Sequence, residues 1–86
     1  MPYTYILYSK SIDKFYIGFT AGELEERLRK HNSNHKGFTG KASDWEMVWT
    51  QAFDTETEAR ARERQIKAWK SRKMILKLVA SEHPDL

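Results

Sequence analysis

Tyr3-Thr4-Tyr5-Ile6-Leu7-Tyr8, followed after a short polar gap by Phe15-Tyr16-Ile17-Gly18-Phe19-Thr20, decides the fold. Both runs are aromatic and β-branched, the composition that suits a pleated, half-buried surface. Between them Ser9-Lys10-Ser11-Ile12-Asp13-Lys14 reads as a hairpin turn. In the second run Phe15, Ile17 and Phe19 alternate with Tyr16, Gly18 and Thr20, so the two sets face opposite sides, with Phe15, Ile17 and Phe19 expected on the core face. Tyr16 and Gly18 then share the other face, where a missing side chain leaves room for another group to approach.

Outward from the hairpin, Thr20-Ala21-Gly22-Glu23 has capping-box spacing and predicts a helix to about Asn32, with Leu24, Leu28 and His31 on one stripe and Arg27 bordering it. Residues 32–43, with Gly37 and Gly40, read as a polar loop in which Lys36, Thr39 and Lys41 are candidate phosphate contacts. Trp45 to Phe53 is a third strand, with Met47, Trp49 and Phe53 expected inward. Thr55-Glu56-Thr57-Glu58 is a second capping box, opening a helix to about Trp69 with an apolar stripe of Ala59, Ile66 and Trp69. A last helix from Ser71 to Val79 turns Ile75, Leu78 and Val79 inward. The expected architecture is α+β, a small three-stranded antiparallel sheet flanked by helices in the order β-β-α-β-α-α. Residues 1–80 form one domain and residues 81–86 a frayed tail.

Length and composition agree with this. Eighty-six residues suit one core. A 40% hydrophobic and 31% charged composition fits neither a membrane protein nor a disordered tail. No run approaches the roughly 18 apolar residues of a membrane span, and the first residues lack the pattern of a secretion signal. Cysteine is absent, which excludes a disulfide scaffold, a Cys-ligated zinc site and thiol catalysis. A cytoplasmic location and no membrane partner are the corresponding expectations.

The net charge is only +3, but its distribution is uneven. Arg60 to Lys77 holds eight cations against one anion, Glu63, a local net of +7. Such a segment points to a polyanion, nucleic acid above all, with a solvated helix face as the alternative. Arg62, Lys67, Lys70, Arg72 and Lys73, together with Lys36 and Lys41, are the candidate nucleic-acid contacts.

Three sets of polar residues fall where core residues belong. Glu63 lies within the stripe of Ala59 and Ile66, and a buried carboxylate requires a partner, either a metal ion or a nearby arginine. Arg27 and His31 are four apart and project the same way. Tyr5 and Tyr16 lie on adjacent strands, either packing or aiming two hydroxyls at a bound phosphate. His31 and His35 are also spaced four apart, but no third zinc ligand accompanies them.

Taken together these residues resemble the GIY-YIG nuclease family over nearly the whole chain. Tyr16-Ile17-Gly18 is the intact second half-motif. Tyr3-Thr4-Tyr5 aligns with the first and keeps only its tyrosine. Arg27 and His31 match the family's helix, with one extra residue near Gly22, and Glu63 matches its later glutamate. The layout is similar to small standalone bacterial members and to the nuclease domain of the excinuclease subunit that cuts damaged DNA. The resemblance implies metal-dependent endonuclease activity on DNA, in the setting of DNA repair, with one divalent ion, Mg²⁺ or Mn²⁺. It implies Glu63 as the metal ligand and Arg27 on the scissile phosphate. Tyr5, with Tyr16 beside it, is the family-style base; His31 is a rival base or a phosphate ligand. Arg27 is expected to lower the Tyr5 pKa from its ordinary value of about 10. Targeting is expected to come from substrate structure, a protein partner or a second copy. The competing readings are a non-catalytic nucleic-acid-binding module and an interaction domain presenting Trp45, Trp49 and Trp69.

Overall fold

The computed structural model describes residues 1–33 and 38–81. In order, the elements are β1 (Tyr3–Ser9), β2 (Lys14–Thr20), α1 (Leu24–Asn32), a 3-10 turn (Phe38–Lys41), β3 (Trp45–Ala52), α2 (Glu56–Trp69) and α3 (Arg72–Ser81). The sheet is antiparallel in the order β2-β1-β3, so β1 is central and β2 is an edge. This is the α+β arrangement expected, in the same element order.

Central β1 is buried on both faces because helices cover both. On one face Ile6 and Trp49 pack with Ile66 of α2 and Ile75 of α3, joined by Phe15 and Ile17. On the other, Tyr5, Leu7 and Trp45 pack with Tyr16 and with Leu24 and Leu28 of α1. Phe15 and Ile17 thus face the core as expected, while the Tyr16 side is a second packed layer. Thr4, fully buried, donates from Oγ1 to the Ala59 carbonyl of α2 at 2.7 Å, so its hydroxyl is satisfied within the core.

Three expectations are corrected. Met47 and Trp49 do not share a face. Pairing runs Ile6 to Trp49 and Leu7 to Met47, which leaves Val48 as the extra residue of a bulge. The bulge reverses the alternation, so Met47 joins the α1 layer and Trp49 the α2–α3 layer. The capping box at Thr20 does not form. The helix starts at Leu24 with Glu23 as N-cap and no side-chain cap, while Thr20 Oγ1 accepts from Gly22 N at 3.0 Å in a local turn. At α2 the box is realised, with Thr55 Oγ1 accepting from Glu58 N at 3.2 Å. Thirdly, Trp45 and Trp49 are each 2% exposed and Trp69 packs against the core, so no exposed tryptophan patch exists. No helix among the described residues is long and apolar enough to cross a membrane.

The β1–β2 hairpin is held at its tip by charge. Asp13, in a left-handed conformation that aspartate tolerates (φ 52°), accepts from Tyr8 Oη at 2.6 Å and from Arg72 Nη2 at 2.6 Å. Asp44 accepts from Ser9 Oγ at 2.6 Å and from the Ser11 amide at 2.9 Å. These bonds hold both carboxyls below the usual aspartate range.

Candidate active site

Strand register creates the centre of the site. Tyr5 lies opposite Gly18 and Leu7 opposite Tyr16, so both tyrosines are on the α1 face, one pair apart. The Tyr5 ring crosses over Gly18. A Cβ at that position would lie 2.6 Å from Tyr5 Oη, 2.7 Å from Tyr5 Cζ and 3.1 Å from Tyr16 Cε2. Gly18 is thus the position where the second half-motif admits the first motif's tyrosine. Gly18→Ala is expected to destabilise the fold by about 1–3 kcal/mol, the usual penalty for overpacking. Chemical denaturation reads this directly, and unchanged stability would show that the Tyr5 ring moves aside freely.

Helix α1 contributes from the facing layer. Arg27 Nε donates to Tyr5 Oη at 3.3 Å, and His31 Nε2 lies 2.8 Å from the same oxygen. The other imidazole nitrogen, His31 Nδ1, is 3.0 Å from Thr39 Oγ1, and Thr39 is seated by Trp45 Nε1 donating to its carbonyl at 2.9 Å. Tyr5 is fully buried, so its own proton needs a protein acceptor. His31 Nε2 is in place for it. Arg27, Tyr5, His31 and Thr39 therefore form one chain from the cleft into the protein.

Burial pushes the Tyr5 pKa up, and this outweighs the lowering influence of Arg27. The expectation of a net lowering by Arg27 is thus corrected; desolvation dominates. The bond to Tyr5 raises the Arg27 pKa, so its charge is permanent.

Helix α2 crosses the opposite face, but Lys67 reaches Tyr16 of the edge strand β2 and carries Glu63 with it. Lys67 Nζ lies 3.0 Å from Glu63 Oε2 and 6.0 Å from the centre of the Tyr16 ring. The Glu63 charge acts on Tyr5, contributing to its raised pKa. Tyr16 stacks obliquely on His31, with ring centroids 4.9 Å apart. Tyr5, Tyr16, Arg27 and His31 are therefore in contact on the α1 face, and Glu63, 58 positions from Tyr5 in the chain, is linked to them through Lys67, which reaches the Tyr16 ring.

The partner of Glu63 is Lys67, one helical turn on, rather than an arginine. The Glu63 side chain is 16% exposed, and a carboxylate is a hard oxygen ligand. Among the described residues no cluster of three or more His, Cys, Asp or Glu exists. A metal held here would have one protein ligand, which suits an ion that keeps waters and takes phosphate oxygens. His35 and Lys36 lie outside the described residues.

The basic residues divide into two groups. Arg62 is absorbed by the fold: its guanidinium lies 5.7 Å from the Trp49 ring and 5.8 Å from Trp69, and it donates to Gln51 and Gln65. Arg72 is tied to Asp13 and lies 5.1 Å from the Phe15 ring. Lys41 is exposed on the 3-10 turn, Lys70 is exposed at the end of α2 and Lys73 is exposed on α3. Thr39, a candidate phosphate contact by its place in a polar loop, bonds to His31, and a contact of this kind leaves no periodic signal in the sequence.

The sheet and α1 carry two tyrosines, an arginine and a histidine in mutual contact, with a glutamate joined to them through Lys67, and residues 1–75 match the model of the GIY-YIG catalytic domain, a nuclease-type domain. The chain is 35% identical over 79 residues to a UPF0213 protein of Staphylococcus saprophyticus, covering 91% of this chain and 93% of that protein. No solved structure matches it significantly. This chain belongs to the GIY-YIG family. Nuclease-type activity on a nucleic-acid substrate follows from that membership.

Proposed function

We propose that the protein is an endonuclease that hydrolyses phosphodiester bonds in DNA with one divalent ion, Mg²⁺ or Mn²⁺, acting on strand structure or through a targeting partner rather than on a long base sequence. What supports this reading is the run of contacts from Arg27 and His31 through both tyrosines to Lys67, the partner of Glu63. Arg27 spends Nε on Tyr5. Its two terminal nitrogens make no bond among the described residues, and they form the fork that fits two phosphate oxygens. A fixed cation there stabilises the negative charge that develops during attack.

The attacking water needs a base. His31 has both nitrogens engaged, and Tyr5 is fully buried. Tyr16 is half-buried, and we assign its phenolate form as the base: it takes the proton of the attacking water and becomes the neutral phenol, with Tyr5 and His31 as positioning residues behind it. Glu63 would hold the divalent ion; that ion supplies Lewis-acid stabilisation of the leaving oxygen and helps to orient the phosphate.

A second reading, a nucleic-acid-binding module without turnover, is favoured by the Glu63–Lys67 pair, which neutralises the carboxylate within the protein alone. Incubation with plasmid, branched and single-stranded DNA, with and without Mg²⁺ or Mn²⁺, separates the two. Nicking that requires the ion supports the nuclease. Binding without cleavage over hours selects the module. Tyr16→Phe is expected to slow cleavage by about 10², the lower range for loss of a general base. A larger loss in Tyr5→Phe than in Tyr16→Phe would move the base to Tyr5.

A further inference from the structure

Between the edge strand β2 and the corner joining α2 to α3 runs a groove of ≈ 390 Å³. Phe15, Ile17 and Ile66 make its apolar floor, and Lys14, Lys67 and Lys70 supply its cations. Lys67 connects it to the candidate active site: it lines the groove, pairs with Glu63 and lies 6.0 Å from the Tyr16 ring centre. Its far end is closed by Arg72, whose guanidinium is committed to Asp13.

Lys70 stands out in this lining. It is the C-cap of α2 and adopts a left-handed conformation (φ 48°, ψ 39°), a position that helices usually give to glycine. A lysine here is strained, and its side chain has no ion pair or hydrogen bond among the described residues. Attraction to the negative end of the helix offsets only part of that strain. Strain retained at a concave, charged lining is a mark of function.

We propose that this groove holds the unpaired nucleic-acid strand leading away from the cleavage point, its phosphates on Lys14 and Lys70 and its bases or sugars on the Phe15–Ile17 floor. The assignment rests on the nuclease reading above for where the strand begins. A duplex presents chiefly phosphates to a surface of this kind, whereas a single strand also offers unstacked apolar faces that use such a floor. Phosphates match the rim and bases match the floor, so the two halves of the groove select the same ligand. Lys67 serves as the junction, since it is bonded to Glu63 and sits over the Tyr16 ring.

The test uses the full chain and fluorescently labelled single-stranded and duplex DNA oligonucleotides, with affinity read by anisotropy over a range of salt. Lys14→Ala and Lys70→Gly are each expected to weaken single-strand binding by roughly three- to tenfold and to reduce the slope of log affinity against log salt by about 0.7, one phosphate contact each. Duplex binding should change less. Lys77→Ala and Arg29→Ala, exposed cations outside the groove, serve as controls. Lys70→Gly is also expected to raise the melting temperature by a few degrees, because glycine relieves the left-handed strain. Weaker binding by a more stable protein separates a ligand contact from a structural one. Unchanged single-strand affinity, whatever the stability, would overturn the proposal, as would equal losses for single strand and duplex or equal losses in the controls. Cleavage is scored separately: wild-type nicking with unaffected groove variants removes the groove alone, and groove-dependent binding without nicking removes the nuclease reading alone.

Discussion

Glu63→Ala is expected to reduce DNA cleavage to background while DNA affinity stays within about threefold of wild type or rises slightly. The two halves of this outcome have different causes. Glu63 is the one anion between Arg60 and Lys77, so its removal makes the segment more attractive to a polyanion. It also releases Lys67, now bonded to it at 3.0 Å, to meet phosphate directly. Binding should therefore not suffer. Turnover should, because Glu63 is the carboxylate assigned to the divalent ion, and among the described residues no group of three or more His, Cys, Asp or Glu could hold a metal in its place. Single-turnover cleavage of labelled DNA, with binding measured in parallel, reads both halves. Undiminished cleavage would remove Glu63 from the chemistry. Lost affinity with intact cleavage would recast it as a contact residue.

Arg27→Ala is expected to lower the cleavage rate by about 10²–10³ at saturating DNA, the scale seen when one preorganised donor to a developing oxyanion is removed. The loss has two parts. The guanidinium fork leaves the phosphate, and Tyr5 loses the donor at its hydroxyl oxygen. Arg27 is also the cation that opposes the burial-driven rise of the Tyr5 pKa, so that rise should grow without it. Arg27→Lys is expected to rescue little, because an ammonium cannot both bond Tyr5 and clasp two phosphate oxygens. A thermal melt on each variant checks that the half-buried position still folds. A rate within twofold of wild type, or full rescue by lysine, would contradict the role.

Much of this arrangement was legible in the linear order. Alternation in Phe15-Tyr16-Ile17-Gly18 places Tyr16 and Gly18 on one face, and the structure finds them there beside Tyr5. The four-residue spacing of Arg27 and His31 brings both to one hydroxyl. Glu63 stood out as an acid on an inward stripe. Less was legible where the outcome depended on tertiary partners. The bulge at Val48 reverses the faces of β3 without a glycine or proline to announce it. Thr20 has a cap's spacing but spends its hydroxyl on Gly22. Arg62 and Arg72 look like phosphate contacts in a list of cations, yet one packs over two tryptophans and the other clamps the hairpin. Complete burial of Tyr5 depends on α1 closing over the sheet, which periodicity does not report, and it is this burial that turns attention to Tyr16 as the base.

The central claim is that the carboxylate of α2 and the guanidinium of α1 serve one reaction centre. Single-turnover cleavage rates for wild type, Glu63→Gln, Arg27→Ala and the double variant test it most directly. Groups that act as a unit are strongly non-additive, so the double variant should lose about as much rate as the worse single variant. Losses that simply multiply, or a Glu63→Gln protein that cleaves as fast as wild type, would contradict it.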